Sequence, residues 1–242
     1  MTFIYLLRHG ATAANREVPY RLQGRGSDLP LDAVGRMQAE AAALALAHVD
    51  LAAVYSSPLL RAIQTAEAVA AQRGLSVLTD PALIEGDVGR WEGLTWDEAA
   101  LRDPAEHRRF LDDPGTTPYP DGESFLDVQR RATPAIARLA ARHDGEAIAI
   151  VGHNVLNRAY LALLLGLPIA KAREIRQSNG GVNVIEVEAA RSVVHTLNAA
   201  LHLDGLGVAC EPTVTPPCPT SSRISRPTRS SAGGRAGSSP CA

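Results

Sequence analysis

Apolar positions along the chain fall into short continuous runs and helical stripes that alternate with one another. Thr2–Leu7, TFIYLL, is apolar and partly β-branched or aromatic, and it predicts a buried strand. LAAVYSS, SVLTD and EAIAIV predict three more strands, and VNVIEVE and SVVHTLN a further two. Between them lie helical stretches. Asp32 is placed to cap AVGRMQAEAAALALAH, in which Met37, Ala41, Leu44 and Ala45 make one apolar stripe. Ser57 as N-cap and Pro58 in the first turn open a second helix that runs to about Arg73 and stops at Gly74. Another starts near Ser124, with a kink or break expected at Pro134. A last one runs from about Asn154 to Leu165 and ends at Gly166. Alternation of this kind is the signature of an α/β sandwich, helices on both faces of a mostly parallel central sheet.

Three stretches break the rhythm. Residues 11–30 are polar and punctuated by Gly24, Gly26, Asp28 and Pro30, as a loop should be. The segment 83–122 is less periodic and reads as an inserted lid, at about 86–122, with Thr95 and Glu98 forming a capping box. Trp91 and Trp96 are expected to pack that lid. From Cys210 onward Pro, Ser, Gly and Arg carry no periodicity, so 210–242 reads as a disordered tail behind one domain at 1–209.

Charge and cysteine content narrow the function classes. Residues 1–209 hold 20 Lys and Arg against 25 Asp and Glu, while the tail holds four Arg against one Glu. An acidic body argues against nucleic acid as a partner. A local arginine cluster can still set the field inside a cleft. All three cysteines, Cys210, Cys218 and Cys241, lie in the tail, so the body has no disulfide framework and no thiolate metal site. MTFIYLL meets Arg8 too soon for a signal peptide, and no apolar run approaches a membrane span. The plain reading is a cytoplasmic protein, a monomer or homodimer, with no membrane partner.

Two apolar runs end on unexpected chemistry. The first closes at Arg8-His9-Gly10 and the fourth at Gly152-His153. In α/β sheets, ligands bind outside the carboxyl ends of the strands. Arg61 sits in the first turn of the helix after its strand, where the N-terminus favours an anion. Two arginines there suit phosphoryl oxygens through charge-assisted bonds. One neutral imidazole can attack phosphorus if its other nitrogen is held, and Gly10, with no Cβ to keep the chain away, could supply a carbonyl to hold it. The second histidine and the arginines would then stabilise the transition state, with Glu85 on a Gly-rich loop as proton donor. Each of these residues has an ordinary alternative: structural histidines, a solvated Arg61, a loop carboxylate. His48, His107, His143, His195 and His202 have no converging partner and read as structural or surface residues.

LRHGATAAN, LQGRGSDLPLDAVGRMQAE, YSSPLLRAIQTAE, LIEGDVGRWEGLTWDE and VGHNVLNR with SNGGVNVIE, in this order, resemble the histidine phosphatase (phosphoglycerate mutase-like) superfamily. The resemblance covers about residues 3–200 and implies a three-layer α/β/α fold. It implies His9 as the phosphorylated nucleophile, Arg8, Arg61 and His153 as the rest of the phosphate pocket, and Glu85 as proton donor. Asn15 matches a phosphate-contacting asparagine, and Thr12, Gln23, Gly24 and Asn154 are further candidates for binding substrate. No metal or other cofactor is implied. Ala11 departs from the Glu or Gln common after Arg-His-Gly, outside the catalytic set.

The resemblance favours a phosphatase acting on a small phosphorylated metabolite, similar to α-ribazole phosphatase and broad-specificity members. The alternatives are mutase-type phosphoryl transfer and a catalytically silent phosphate-binding protein. Against a mutase, the lid is short and mixed in charge, Arg102, Arg108 and Arg109 being offset by Asp103, Asp112 and Asp113. No second basic pocket is evident from the sequence.

Overall fold

The computed structural model describes residues 1–188 and 191–206. The tail assigned to 210–242, with its three cysteines, lies outside the described residues. Six strands form one sheet in the order β3-β2-β4-β1-β5-β6. β1 (Thr2–Arg8), β2 (Leu51–Ser56), β3 (Val77–Thr79) and β4 (Ala147–Gly152) run parallel, while β5 (Val182–Glu188) and β6 (Arg191–Ala199) extend the sheet antiparallel from β1.

Alternation along the central strands divides the core. Ile4, Leu6, Ile148 and Ile150 face one cluster, built with α6 (Phe125–Ala141) and α7 (Asn154–Leu164). Leu7, Val54, Ala149 and Val151 face the other, built with α2 (Ala33–Ala45) and α3 (Leu60–Ala71). Helices cover both faces, so the fold is the expected three-layer sandwich. The short helix α1 (Ala13–Arg16) follows the β1 loop.

Local signals in the sequence are mostly realised. Asp32 caps α2 by accepting from the Gly35 N–H at 2.7 Å. Thr95 and Glu98 form the capping box of α4 (Trp96–Arg102), which α5 (Pro104–Asp112) follows. Three expectations need correction. On α2, Met37 and Leu44 face solvent, and the buried face is Gly35, Gln38, Ala39, Ala42 and Ala43. Close approach to the β1 loop selects small side chains there over large apolar ones. α3 starts at Leu60, and its first free N–H is capped from a distance by Asp28 Oδ1 at 2.6 Å, while Ser57 Oγ accepts from Leu59 N at 3.3 Å. α6 runs unbroken through Pro134, because buried Ala132, Ala135, Ile136 and Leu139 on both sides hold the two halves in register.

The approach of α2 to the β1 loop is tight enough to test. A Cβ on Gly35 would lie 1.9 Å from the Ala11 carbonyl oxygen, and one on Gly10 would lie 2.2 Å from the Gly35 oxygen. Neither clash can be relieved by a side-chain rotation, since both obstacles are backbone. Gly35→Ala is expected to cost about 3 kcal/mol of stability, read as a lower urea midpoint at unchanged slope. An unchanged midpoint would show that the two segments are not in contact as described.

Candidate active site

Adjacent strands β1 and β4 pair Arg8 with Gly152, so His9 and His153 leave the sheet side by side. A backbone bond from His9 N to the Gly152 carbonyl, 3.1 Å, carries that pairing one residue past the strand. The two rings lie 5.1 Å apart between centroids. Both are buried, at 3% and 0% exposure.

His9 Nδ1 lies 2.7 Å from the Gly10 carbonyl oxygen. A carbonyl can only accept, so this contact places the proton on Nδ1 and leaves the Nε2 lone pair for chemistry. Gly10 is itself fixed, its N–H donating to Thr65 Oγ1 at 3.0 Å. Burial pushes both imidazoles well below the ordinary histidine value of 6.5, and the Arg61 charge pushes them further in the same direction. The Gly10 contact acts against this for His9.

Arg61, fully buried, donates from Nη1 to Ser27 O at 2.6 Å and from Nη2 to Gly24 O at 3.0 Å. Its Nε has no protein partner, and neither ring nitrogen of His153 has one. Three buried polar nitrogens without partners are uncommon and need a reason. Arg8 is buried with them and donates from Nη1 to Gln177 O at 2.6 Å. Together these groups make a positive, donor-rich floor for a tetrahedral anion.

Glu85 is buried at 3% exposure beside the start of α7. Its Oε1 accepts from Gly86 N and Leu156 N, at 2.8 and 3.2 Å, and its Oε2 accepts from Val155 N at 3.1 Å. His153 is the N-cap of the same helix, so one helix terminus positions both groups.

The remaining candidates separate into two sets. Asn15, Gln23 and Asn154 line the cleft with Arg8, His9 and Glu85. Thr12 and Gly24 serve as supports. Thr12 is wholly buried, and its Oγ1 bonds Asn15 Oδ1 and Gln23 Oε1 at 3.2 and 2.9 Å. Gly24 offers only backbone, with its carbonyl on Arg61 and its N–H on Glu92 Oε1 at 2.8 Å. Glu92 was not read as part of the site. It also takes Gly26 N at 3.2 Å and so pins the loop on which Arg61 rests. Burial holds its carboxyl above the usual range, and the two glycine N–H groups oppose that. Asn179, bonded to His9 O at 3.0 Å, was missed as well. The signals available were Trp91-Glu92-Gly93 facing a glycine loop, and an asparagine just before β5.

Across the cleft, the segment at 86–122 contributes Trp96 and Tyr119. Fully buried Trp91 packs edge-on against Trp96, Phe110 and Tyr119 at about 6 Å, so the tryptophans build the wall as expected. His143 bonds Tyr55 and Glu146, and His195 bonds Glu186, well away from this floor. Among the described residues, no group of three or more His, Cys, Asp or Glu is placed to hold a metal ion, and no helix is long and apolar enough to cross a membrane.

The histidine phosphatase superfamily (branch 1) family model matches residues 4–200, which contain the whole of this arrangement. The chain belongs to that superfamily. A bifunctional protein of Mycobacterium tuberculosis is 44% identical over 165 residues, covering 68% of this chain and 44% of that protein. The chain thus spans less than half the length of that relative. Phosphoserine phosphatase 1 of Hydrogenobacter thermophilus is 32% identical over 203 residues, 84% of this chain and 95% of the relative. Among solved members, Bacillus stearothermophilus YhfR superposes with a TM-score of 0.78 at 35% identity, covering 84% of this chain and 100% of that one. A putative alpha-ribazole-5'-P phosphatase from Escherichia coli gives 0.74 at 28% identity, over 82% and 96%. Relatives with phosphatase names and relatives with phosphoglycerate mutase names are both among the matches, a probable phosphoglycerate mutase of Escherichia fergusonii being 31% identical over 209 residues, 84% of this chain and 96% of the relative.

The depressed histidines of this superfamily member predict its pH behaviour. Both folded-state values lie below 6.5, so both rings are neutral at pH 7 and the acid limb of kcat/KM from histidine protonation should fall below that value. The unfolded chain takes up these protons first as pH drops. Stability should therefore decline from about pH 6.5 downward. A pH–rate profile and urea midpoints across the same range check both statements.

Proposed function

We propose that this domain is a metal-independent phosphomonoesterase that acts on a small phosphorylated metabolite through a phosphohistidine at His9. The observation that carries the reading is the His9 Nδ1 contact with the Gly10 carbonyl, made beside His153, whose ring nitrogens, like Arg61 Nε, are buried without a protein partner.

In the first half-reaction, His9 Nε2 attacks phosphorus and the bond to the ester oxygen breaks. Arg8, Arg61 and His153 hold the three nonbridging oxygens as charge redistributes, with Asn15 at the rim. Glu85 gives its proton to the departing alkoxide. In the second half, water attacks the phosphohistidine and Glu85 takes the proton back, which restores neutral His9 and releases phosphate.

The test is phosphate release from p-nitrophenyl phosphate, with and without a chelator, alongside a search for acid-labile phosphate on the protein. Release that survives chelation, with phosphate trapped on His9, supports the reading. A substrate that is isomerised with no inorganic phosphate released would move the chain to mutase-type transfer. Tight binding without turnover of any monoester would move it to a binding protein. The names of its relatives, phosphoserine phosphatase and alpha-ribazole-5'-P phosphatase, give the first substrates to try.

A further inference from the structure

The cleft holds more positive charge than one phosphoryl group requires. Beyond His9 and Glu85 it is lined by Tyr20, Trp96, Tyr119, Arg21, Arg158 and Arg173. Glu85 is the sole carboxylate in that lining among the described residues. The sequence shows no second basic pocket, because these arginines come from a loop, a helix and the turn after it, and only folding gathers them.

The three are not equivalent. Arg21 is neutralised by Glu17 and Glu98, at 2.6 and 3.2 Å. Arg158 lies one turn along α7 from Asn154, so both face the same side. Its Nε is anchored on Ile175 O at 2.7 Å. Arg173 Cζ sits over Trp96, 4.8 Å from the ring centre, and 5.5 Å from that of Phe110. Among the described residues it has no carboxylate partner, since neighbouring Glu174 is taken by Lys171 at 2.7 Å. A cation–π contact restrains the guanidinium and uses none of its N–H donors. Both charges are felt at the Tyr119 phenol, where they act against the rise that burial imposes. Close by, buried Asn154 Oδ1 has no donor from the protein.

We infer that Arg173, with Arg158, forms an anion subsite for the leaving group, so that the preferred ester carries a second anion, a carboxylate or a second phosphate, beside a hydroxyl or ammonium donor. This rests on the phosphomonoesterase reading. Uncharged alcohols would leave the Arg173 fork and Asn154 Oδ1 without ligand partners, and so should bind more weakly.

The experiment compares kcat/KM for matched esters: phosphoserine against phosphoethanolamine, and 3-phosphoglycerate against glycerol 3-phosphate. Fructose 1,6-bisphosphate and p-nitrophenyl phosphate complete the panel. The acidic member of a pair is expected to be favoured about 10- to 100-fold, mainly through KM. Arg173→Gln should remove most of that ratio and Arg173→Lys should keep part of it. Preference for the bisphosphate alone, lost in the same variant, also supports the subsite and names its anion. Equal kcat/KM across each pair, with no preference for the bisphosphate, overturns it. So does a ratio unchanged by Arg173→Gln. No phosphate release from any ester by folded protein would overturn the phosphatase reading itself, an outcome distinct from flat specificity.

Discussion

A His9→Ala variant should lose about 10⁴-fold or more of the wild-type kcat on p-nitrophenyl phosphate, because in the proposed mechanism His9 is the group that forms the phosphoenzyme. The remaining floor stays in place. Arg61 is held by Ser27 and Gly24, and His153 caps α7, independently of the His9 ring. The variant should therefore fold and still bind vanadate while it turns over almost nothing. The deleted imidazole lies at the end of a strand, and the backbone bond from residue 9 to Gly152 is untouched by the change. Phosphate release within tenfold of wild type would remove His9 from the role of nucleophile. Covalent phosphate recovered at another residue would do the same.

Arg61→Lys is the second large effect. It keeps the charge but loses the planar fork, which at this position makes three separate placements. Nη1 and Nη2 hold the carbonyls of Ser27 and Gly24, and buried Nε is left without a protein partner. A single ammonium cannot meet all three in a fully buried site. We expect kcat to drop about 10²- to 10³-fold, the scale of losing one transition-state donor in a dry site. The loop at 24–28 should loosen as well, visible as faster amide exchange at Gly26. Rates close to wild type would show that charge alone suffices and that the buried Nε is immaterial.

The chemistry was legible where it interrupts a pattern. His9 and His153 stand out because an apolar strand has no use for a polar terminus, and their pairing follows once β1 and β4 are neighbours. Asp32, the Thr95–Glu98 box and the strand–helix alternation were legible for the same local reasons. What escaped was set by distance in three dimensions. The buried face of α2 is small because Gly35 touches the β1 loop, so ranking its residues by hydrophobicity picked Met37 and Leu44, which are exposed. The cap of α3 comes from Asp28, which no local window contains. Glu92 and Arg173 look like ordinary lid and turn residues until their partners, Gly24 and Trp96, are brought to them.

The placement of β1 inside the sheet has a consequence for synthesis on the ribosome. β1 is the first strand of this domain to emerge, yet its neighbours are β4 on one side and β5 on the other. Arg8 must wait for Gly152, and its carbonyl for the N–H of Gly180. Until then both strand edges are open and no pair of histidines exists. A nascent chain that has emerged only through α6 holds His9, Arg8 and Arg61 but lacks β4 and His153. The site therefore assembles late and all at once, when the returning chain closes over the first strand of the domain.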